Sequence, residues 1–125
     1  MMMEVRSRVK LVQFAGYDVL VIDYSDCKED EMIAVLMLAR DEVAKYSKPL
    51  RIVSVFNDKC YATPNFMLVA KREVSSLGHL IKDQALVGLS PVKKMILKGF
   101  NAFQGRSFKD FKTLEEAMAY LTKAR

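Results

Sequence analysis

The chain has 125 residues, a net charge of +5 and 51% hydrophobic residues. This length and composition fit one folded domain spanning residues 1–125 and exclude a disordered tail. The longest apolar run, MIAVLMLA at 32–39, is much shorter than the roughly 20 residues that cross a bilayer, so no membrane insertion is expected.

The N-terminus carries charged residues where a signal peptide would be apolar, so a cytoplasmic location is expected. The two cysteines match neither a metal-ligand spacing nor a disulfide scaffold, and both are interpreted as free thiols. The basic residues are scattered along the second half of the chain rather than clustered. This distribution favours solubility over a surface for nucleic acid or phospholipid.

The chain opens with two β-rich segments, VKLVQF at 9–14 and DVLVIDY at 18–24, joined by a short Gly-containing connection. This pattern predicts an antiparallel hairpin. A helix is predicted from about 28 to 46, because Asp26 followed by Glu29 forms a capping-box pattern and apolar residues then recur at helical spacing.

Strands and helices alternate after this first helix. PLRIVSVFN at 49–57 predicts a central strand, and Thr63-Pro64 predicts the start of a helix that ends near Gly78. ALVGLS at 85–90 predicts the next strand.

The last part of the chain repeats the same helix-start pattern at Ser90-Pro91, which predicts a helix over 91–104. RSFKDF at 106–111 predicts an edge strand, and a capping box beginning at Thr113 predicts a final helix to about residue 123. The predicted fold class is α/β: a single-domain mixed sheet of about five strands that opens with an antiparallel hairpin and continues with alternating helices and strands.

This order, together with VLVIDYSDCKEDEM and ALVGLSPVKKMILKGFN, resembles small bacterial single-domain proteins with the STAS-like fold of stage II sporulation protein AA. That superfamily also includes the CRAL-TRIO lipid-transfer fold, and the resemblance covers about residues 9–123. It implies either a regulatory module that acts through a protein partner or a carrier of a lipid or other apolar anionic ligand.

Anti-sigma-factor antagonists in this group carry a phosphorylated serine at the start of the helix after the central strand, in an Asp-Ser-Ser-Gly-Leu type turn. The equivalent turn here, FNDKCYATPNF, lacks that motif, and Thr63 has the only hydroxyl group at the corresponding helix start. The resemblance therefore implies Thr63 as a phosphorylation site, while the simpler interpretation is that Thr63 is an N-cap.

Ligands of α/β sheets bind beyond the carboxyl ends of the strands, which makes Asp26, Asp58 and Cys60 candidate residues in the strand-end turns. None of these turns contains the adjacent carboxylates of a receiver-type site or a complete set of nucleophile, base and oxyanion donors. The sequence therefore predicts no catalytic residues, no metal and no cofactor.

One anion site is predicted at the joint between the strand at 85–90 and the following helix. Gly88 and Ser90 would leave backbone amides exposed there, and Lys93 or Lys94 would reach over a bound anion. The alternative is a purely structural joint, in which Gly88 allows close packing and the lysines are solvated.

The expected function is a non-catalytic regulatory or protein-interaction module that works through a protein partner or through self-association, including a homodimer. The alternative is a small carrier of a lipid or other apolar anion. Nucleic-acid binding is not expected, because Phe100 and Phe103 lie on an apolar helix stripe rather than among basic residues. An internal apolar cavity would favour the carrier, and a flat exposed apolar patch would favour the interaction module.

Overall fold

A computed structural model of the protein describes residues 5–46, 48–60, 63–90 and 109–123. Their strands form one sheet in the order β1 (Val9–Phe14), β2 (Tyr17–Asp23), β3 (Leu50–Val55), β4 (Ile81–Val87) and β5 (Lys109–Phe111). The helices are α1 (Glu29–Ala44), α2 (Pro64–Ser76) and α3 (Leu114–Leu121), with short 3₁₀ turns at Val5–Arg8 and Gly78–Leu80.

The sheet is mixed because β1 and β2 are antiparallel, whereas all later neighbours pair in parallel. Ala15 and Gly16 form the hairpin turn, with φ angles of 51° and 84°, and type I′ turns require positive φ at both central residues. The pairing then continues without a bulge along all six residues of β1. The predicted α/β fold class and its opening hairpin are therefore confirmed.

Helices α1 and α2 cover one face of the sheet, and α3 packs on the other. Two separate cores result, because successive side chains along a strand point to opposite faces. The first core contains Leu20, Ile22, Met32, Val35, Ile52, Phe56 and Phe66. The second contains Val19, Val53, Ala85, Val87, Ala117 and Leu121.

The bounds predicted for the fourth strand are wrong, since β4 begins at Ile81 rather than residue 85 and ends at Val87 rather than residue 90. The polar residues Asp83 and Gln84 concealed its start in the sequence. Parallel pairing with β3 begins at Ile81, shifts register between Leu50 and Arg51, and then continues from Asp83 to Val87, which keeps Asp83 and Gln84 in the strand. Gly88 ends the strand because its φ of 81° departs from the extended conformation.

The predicted cap of α1 is also shifted in the structure. Lys28, not Asp26, is the N-cap residue, and Glu31 Oε1 accepts a hydrogen bond of 2.9 Å from Lys28 N. Asp26 lies in the preceding turn with φ at 62°. Only the Glu31 half of a capping box is therefore present, two residues later than predicted, because the Lys28 ammonium cannot accept a hydrogen bond from the helix backbone.

The starts of the other two helices agree with their predictions. Thr63 caps α2 with Pro64 as its first residue, and Thr113 caps α3. The helix predicted over 91–104 lies outside the described residues. Among the described residues, no helix has the length and apolar character of a bilayer span.

Candidate functional site

The turns that follow β2 and β3 are joined by two reciprocal hydrogen bonds. Asn57 Oδ1 accepts from Asp26 N at 3.0 Å, and Asn57 Nδ2 donates to Asp26 Oδ1 at 2.8 Å. Asn57 Oδ1 also accepts from Lys59 N at 3.2 Å. Asp26 and Asn57 therefore connect the turn after β2 with the turn after β3. Asn57 was not among the candidate residues predicted from the sequence.

The other two strand-end candidates differ in exposure. Asp58 is exposed, whereas Cys60 is buried and its Sγ donates to Asn57 O at 3.0 Å. Cys27 is also buried, and both cysteines are free thiols. Burial raises the pKa of the Cys27 thiol to about 11, which keeps it protonated and weakly nucleophilic at neutral pH.

The hydroxyl group of Thr63 connects α2 with α1. Thr63 Oγ1 accepts from Phe66 N at 3.2 Å, as expected of an N-cap, and donates to Glu29 Oε1 at 2.7 Å. The N-cap interpretation is therefore confirmed. Phosphorylation of Thr63 stays a prediction, and a phosphate there would lie beside the Glu29 carboxylate.

Gly88 allows the close packing predicted for it. A Cβ atom at this position would overlap the carbonyl oxygen of Phe56, and Gly88 N donates to Phe111 O at 3.2 Å. Ser90 is partly buried nearby. Lys93 and Lys94 lie outside the described residues, so the anion site of Gly88, Ser90 and these lysines stays a prediction.

A cavity of about 100 Å³ lies between α1, α2 and the sheet. Its walls are mainly apolar and include Leu36, Val43, Ile52, Phe66, Ala70 and Leu77. Four polar or charged side chains also line it, those of Arg40, Ser54, Glu73 and Gln84, together with the phenol of Tyr24. None of these polar residues was selected from the sequence, because none follows the end of a strand.

An aromatic group forms one wall of this cavity. Tyr24 stacks on Phe56 at 5.1 Å between ring centroids and meets the edge of Phe66 at 5.4 Å. Burial raises the pKa of the Tyr24 phenol well above its usual range, so the phenol is uncharged. All three aromatic residues line the cavity and contribute to its apolar wall.

An ion pair between the two helices lies at the same cavity. Arg40 Nη1 on α1 is 3.5 Å from Glu73 Oε1 on α2, and Arg40 Nη2 is 3.0 Å from Asp41 Oδ1. Glu73 is only 8% exposed and is also 3.8 Å from Arg72 Nε. Because an unpaired buried carboxylate is costly, Arg40 stabilises the position of Glu73 beside the cavity.

Comparison with known proteins shows the fold. No family model matches the sequence, and no curated protein matches it. A similar solved structure is that of an uncharacterized protein of the DUF3478 family, with a SpoIIAA-like fold, from Shewanella loihica PV-4. The two chains are 15% identical with a TM-score of 0.57 over 90% of this chain and 91% of that chain. The predicted SpoIIAA-like fold is thereby confirmed.

Proposed function

We propose that this protein is a non-catalytic module that binds a small, largely apolar ligand in the cavity between α1, α2 and the sheet. The observation that supports this function is the cavity itself. The space of about 100 Å³ is partly open to solvent and has mainly apolar walls, which is the setting in which proteins bind small apolar molecules. Of the two functions expected from the sequence, the cavity favours the carrier.

The size of the cavity limits the ligand. An engineered dry cavity of about 150 Å³ in another protein binds benzene. The cavity here is somewhat smaller but partly open to solvent, so it fits a small aromatic or aliphatic molecule, or one end of a larger one. Burial of that apolar surface would supply the affinity.

The test is to fill the cavity and measure the binding of toluene by NMR titration. Ala70 lines the cavity on α2, so the ring of an Ala70→Phe variant would occupy the ligand's space and toluene binding should be lost. Ala34 is exposed on α1 and does not line the cavity, so Ala34→Phe is the matched control and should bind toluene like the wild type.

Two results would contradict this function. One is a wild-type protein that shows no saturable shift of its amide resonances with toluene. The other is an Ala70→Phe variant that is folded by its NMR spectrum and still binds toluene with wild-type affinity.

A second candidate is an interaction module in which two copies pair through the outer edge of β1. This strand stands at the end of the sheet, and its six residues include one charge, Lys10, and neither proline nor bulge. Leu11 and Phe14 are 38% and 39% exposed. Edge strands with so little protection tend to pair with another strand.

A second copy of the chain suits this edge because β1 of one copy can pair with β1 of the other. Antiparallel pairing about a two-fold axis at Leu11 would place Lys10 opposite Val12 of the second copy, so no like charges face each other. The two Leu11 side chains would then be opposite one another and bury apolar surface.

A further inference from the structure

We propose that the ligand carries an uncharged hydrogen-bonding group, such as a hydroxyl or amide, which Ser54 and Gln84 bind on the sheet side of the cavity. This inference rests on the proposed function and specifies the chemical class of the ligand. It depends on three observations: the position of these two residues, the lack of a partner for their side chains among the described residues, and the charge balance around them.

Ser54 and Gln84 occupy positions on the sheet that would normally be apolar. Both side chains line the cavity on the face covered by α1 and α2. In the register between β3 and β4, Gln84 aligns with Ile52, and Ser54 aligns with Leu86. The two polar residues are therefore diagonal neighbours on adjacent central strands, beside the apolar residues Ile52 and Leu86.

Neither polar side chain has a partner within the described part of the chain. The Ser54 hydroxyl and the Gln84 side-chain amide make no hydrogen bond there, and no side-chain nitrogen or oxygen is both sealed from solvent and unsatisfied. Both residues are partly exposed although they belong to central strands. Their polar atoms thus reach the open space of the cavity, where an amide and a hydroxyl together offer donors and acceptors.

The charges beside the cavity favour a neutral group over the anionic one expected from the sequence. The Arg40 guanidinium already has carboxylate oxygens of Asp41 and Glu73 at 3.0 and 3.5 Å. Glu73 would repel an anion that approached Arg40 from the cavity. A hydroxyl or amide group meets no such repulsion and would hydrogen-bond to Ser54 and Gln84 in place of solvent.

The test compares three probes that share one ring: toluene, benzyl alcohol and benzoate. Wild-type protein should bind toluene and benzyl alcohol, with benzoate the weakest of the three. Gln84→Leu keeps the volume of the side chain but removes its amide, and should weaken benzyl alcohol binding by about threefold to tenfold. Ser54→Ala should act in the same direction.

Toluene provides the internal control, because its affinity should not fall in either variant. Gln13→Leu makes the same substitution at an exposed position outside the cavity and should change neither affinity.

The outcomes separate the two proposals. If toluene binds but both variants keep wild-type affinity for benzyl alcohol, or if benzoate binds more tightly than benzyl alcohol, the neutral polar group is wrong and the apolar site stands. If no probe binds the wild-type protein, the proposed function fails, and this inference fails with it.

Discussion

At the scale of single residues, Gly88 shows how the absence of a Cβ atom allows two chain segments to pack closely. Replacing it with alanine would force a Cβ toward the backbone of Phe56 and also penalise the positive φ of 81°. We expect Gly88→Ala to lower the free energy of unfolding by at least about 2 kcal/mol, measured by urea denaturation.

Gly16 is the matched control for this prediction. Its φ of 84° is nearly the same, but a Cβ there would have no atom within 4 Å. Gly16→Ala should therefore show only the backbone cost, about 1 kcal/mol. Equal losses in the two variants would mean that the contact with Phe56 contributes nothing.

Residues whose role depends on local chain geometry were predictable from the sequence. Thr63 before proline is an example, because capping is a property of a few consecutive residues. For Gly88 the close packing was predicted, but the positive φ that follows the end of β4 was not, since the strand was expected to continue to residue 90. Asn57, Glu73 and Gln84 were missed. Their roles come from partners or space supplied by distant elements, and the sequence contains no signal for those neighbours.

At the scale of elements, the contact between Thr63 and Glu29 connects the start of α2 to α1. Aspartate caps helices as well as threonine does, so Thr63→Asp should preserve the cap while placing a negative charge beside Glu29. We expect this variant to lose about 1 kcal/mol of unfolding free energy, measured by thermal or urea denaturation.

The same substitution in a Glu29→Gln background isolates the repulsion, because the cap is unchanged and the carboxylate is gone. Most of the loss should disappear there. An equal loss in both backgrounds would show that Glu29 is not the cause. A phosphate on Thr63 would meet the same carboxylate and would therefore weaken the contact between α1 and α2.

The elements themselves were predicted with uneven accuracy for a physical reason. β1 was predicted with its observed bounds and β2 only one residue late, because β-rich segments on either side of a glycine turn mark a hairpin locally. β4 was placed too late because Lys82, Asp83 and Gln84 give no apolar signal. Pairing with β3, which is a tertiary contact, keeps these residues in the strand.

At the scale of the whole molecule, pairing through β1 predicts that the protein dimerises with increasing concentration. Leu11→Lys would place two ammonium groups opposite each other across the two-fold axis, so this variant should remain monomeric in sedimentation-velocity experiments. Leu68 is 64% exposed on α2, and Leu68→Lys makes the same change away from β1. That control should dimerise like the wild type.

A wild-type protein that stays monomeric at millimolar concentration would rule out this assembly. So would a Leu11→Lys variant that dimerises as strongly as the wild type.

The overall topology was predictable, whereas the cavity was not. Alternating strand and helix patterns after an opening hairpin imply a mixed sheet, and a mixed sheet is observed. The cavity is the volume that the side chains of α1, α2 and the sheet leave unfilled. A hydrophobic pattern gives the side of each element that faces inward, but it does not show how completely the facing side chains interlock.

The sheet order has a consequence for biosynthesis. Each strand pairs with the one before it in the chain, from β1 through β5. A nascent polypeptide leaving the ribosome can therefore extend the sheet by adding every new strand to an edge that already exists, and the chain segments that must close remain short. If two copies pair through the outer edge of β1 as proposed, that edge is available before the later strands of the sheet are made, and neighbouring chains on one polysome would be its earliest partners.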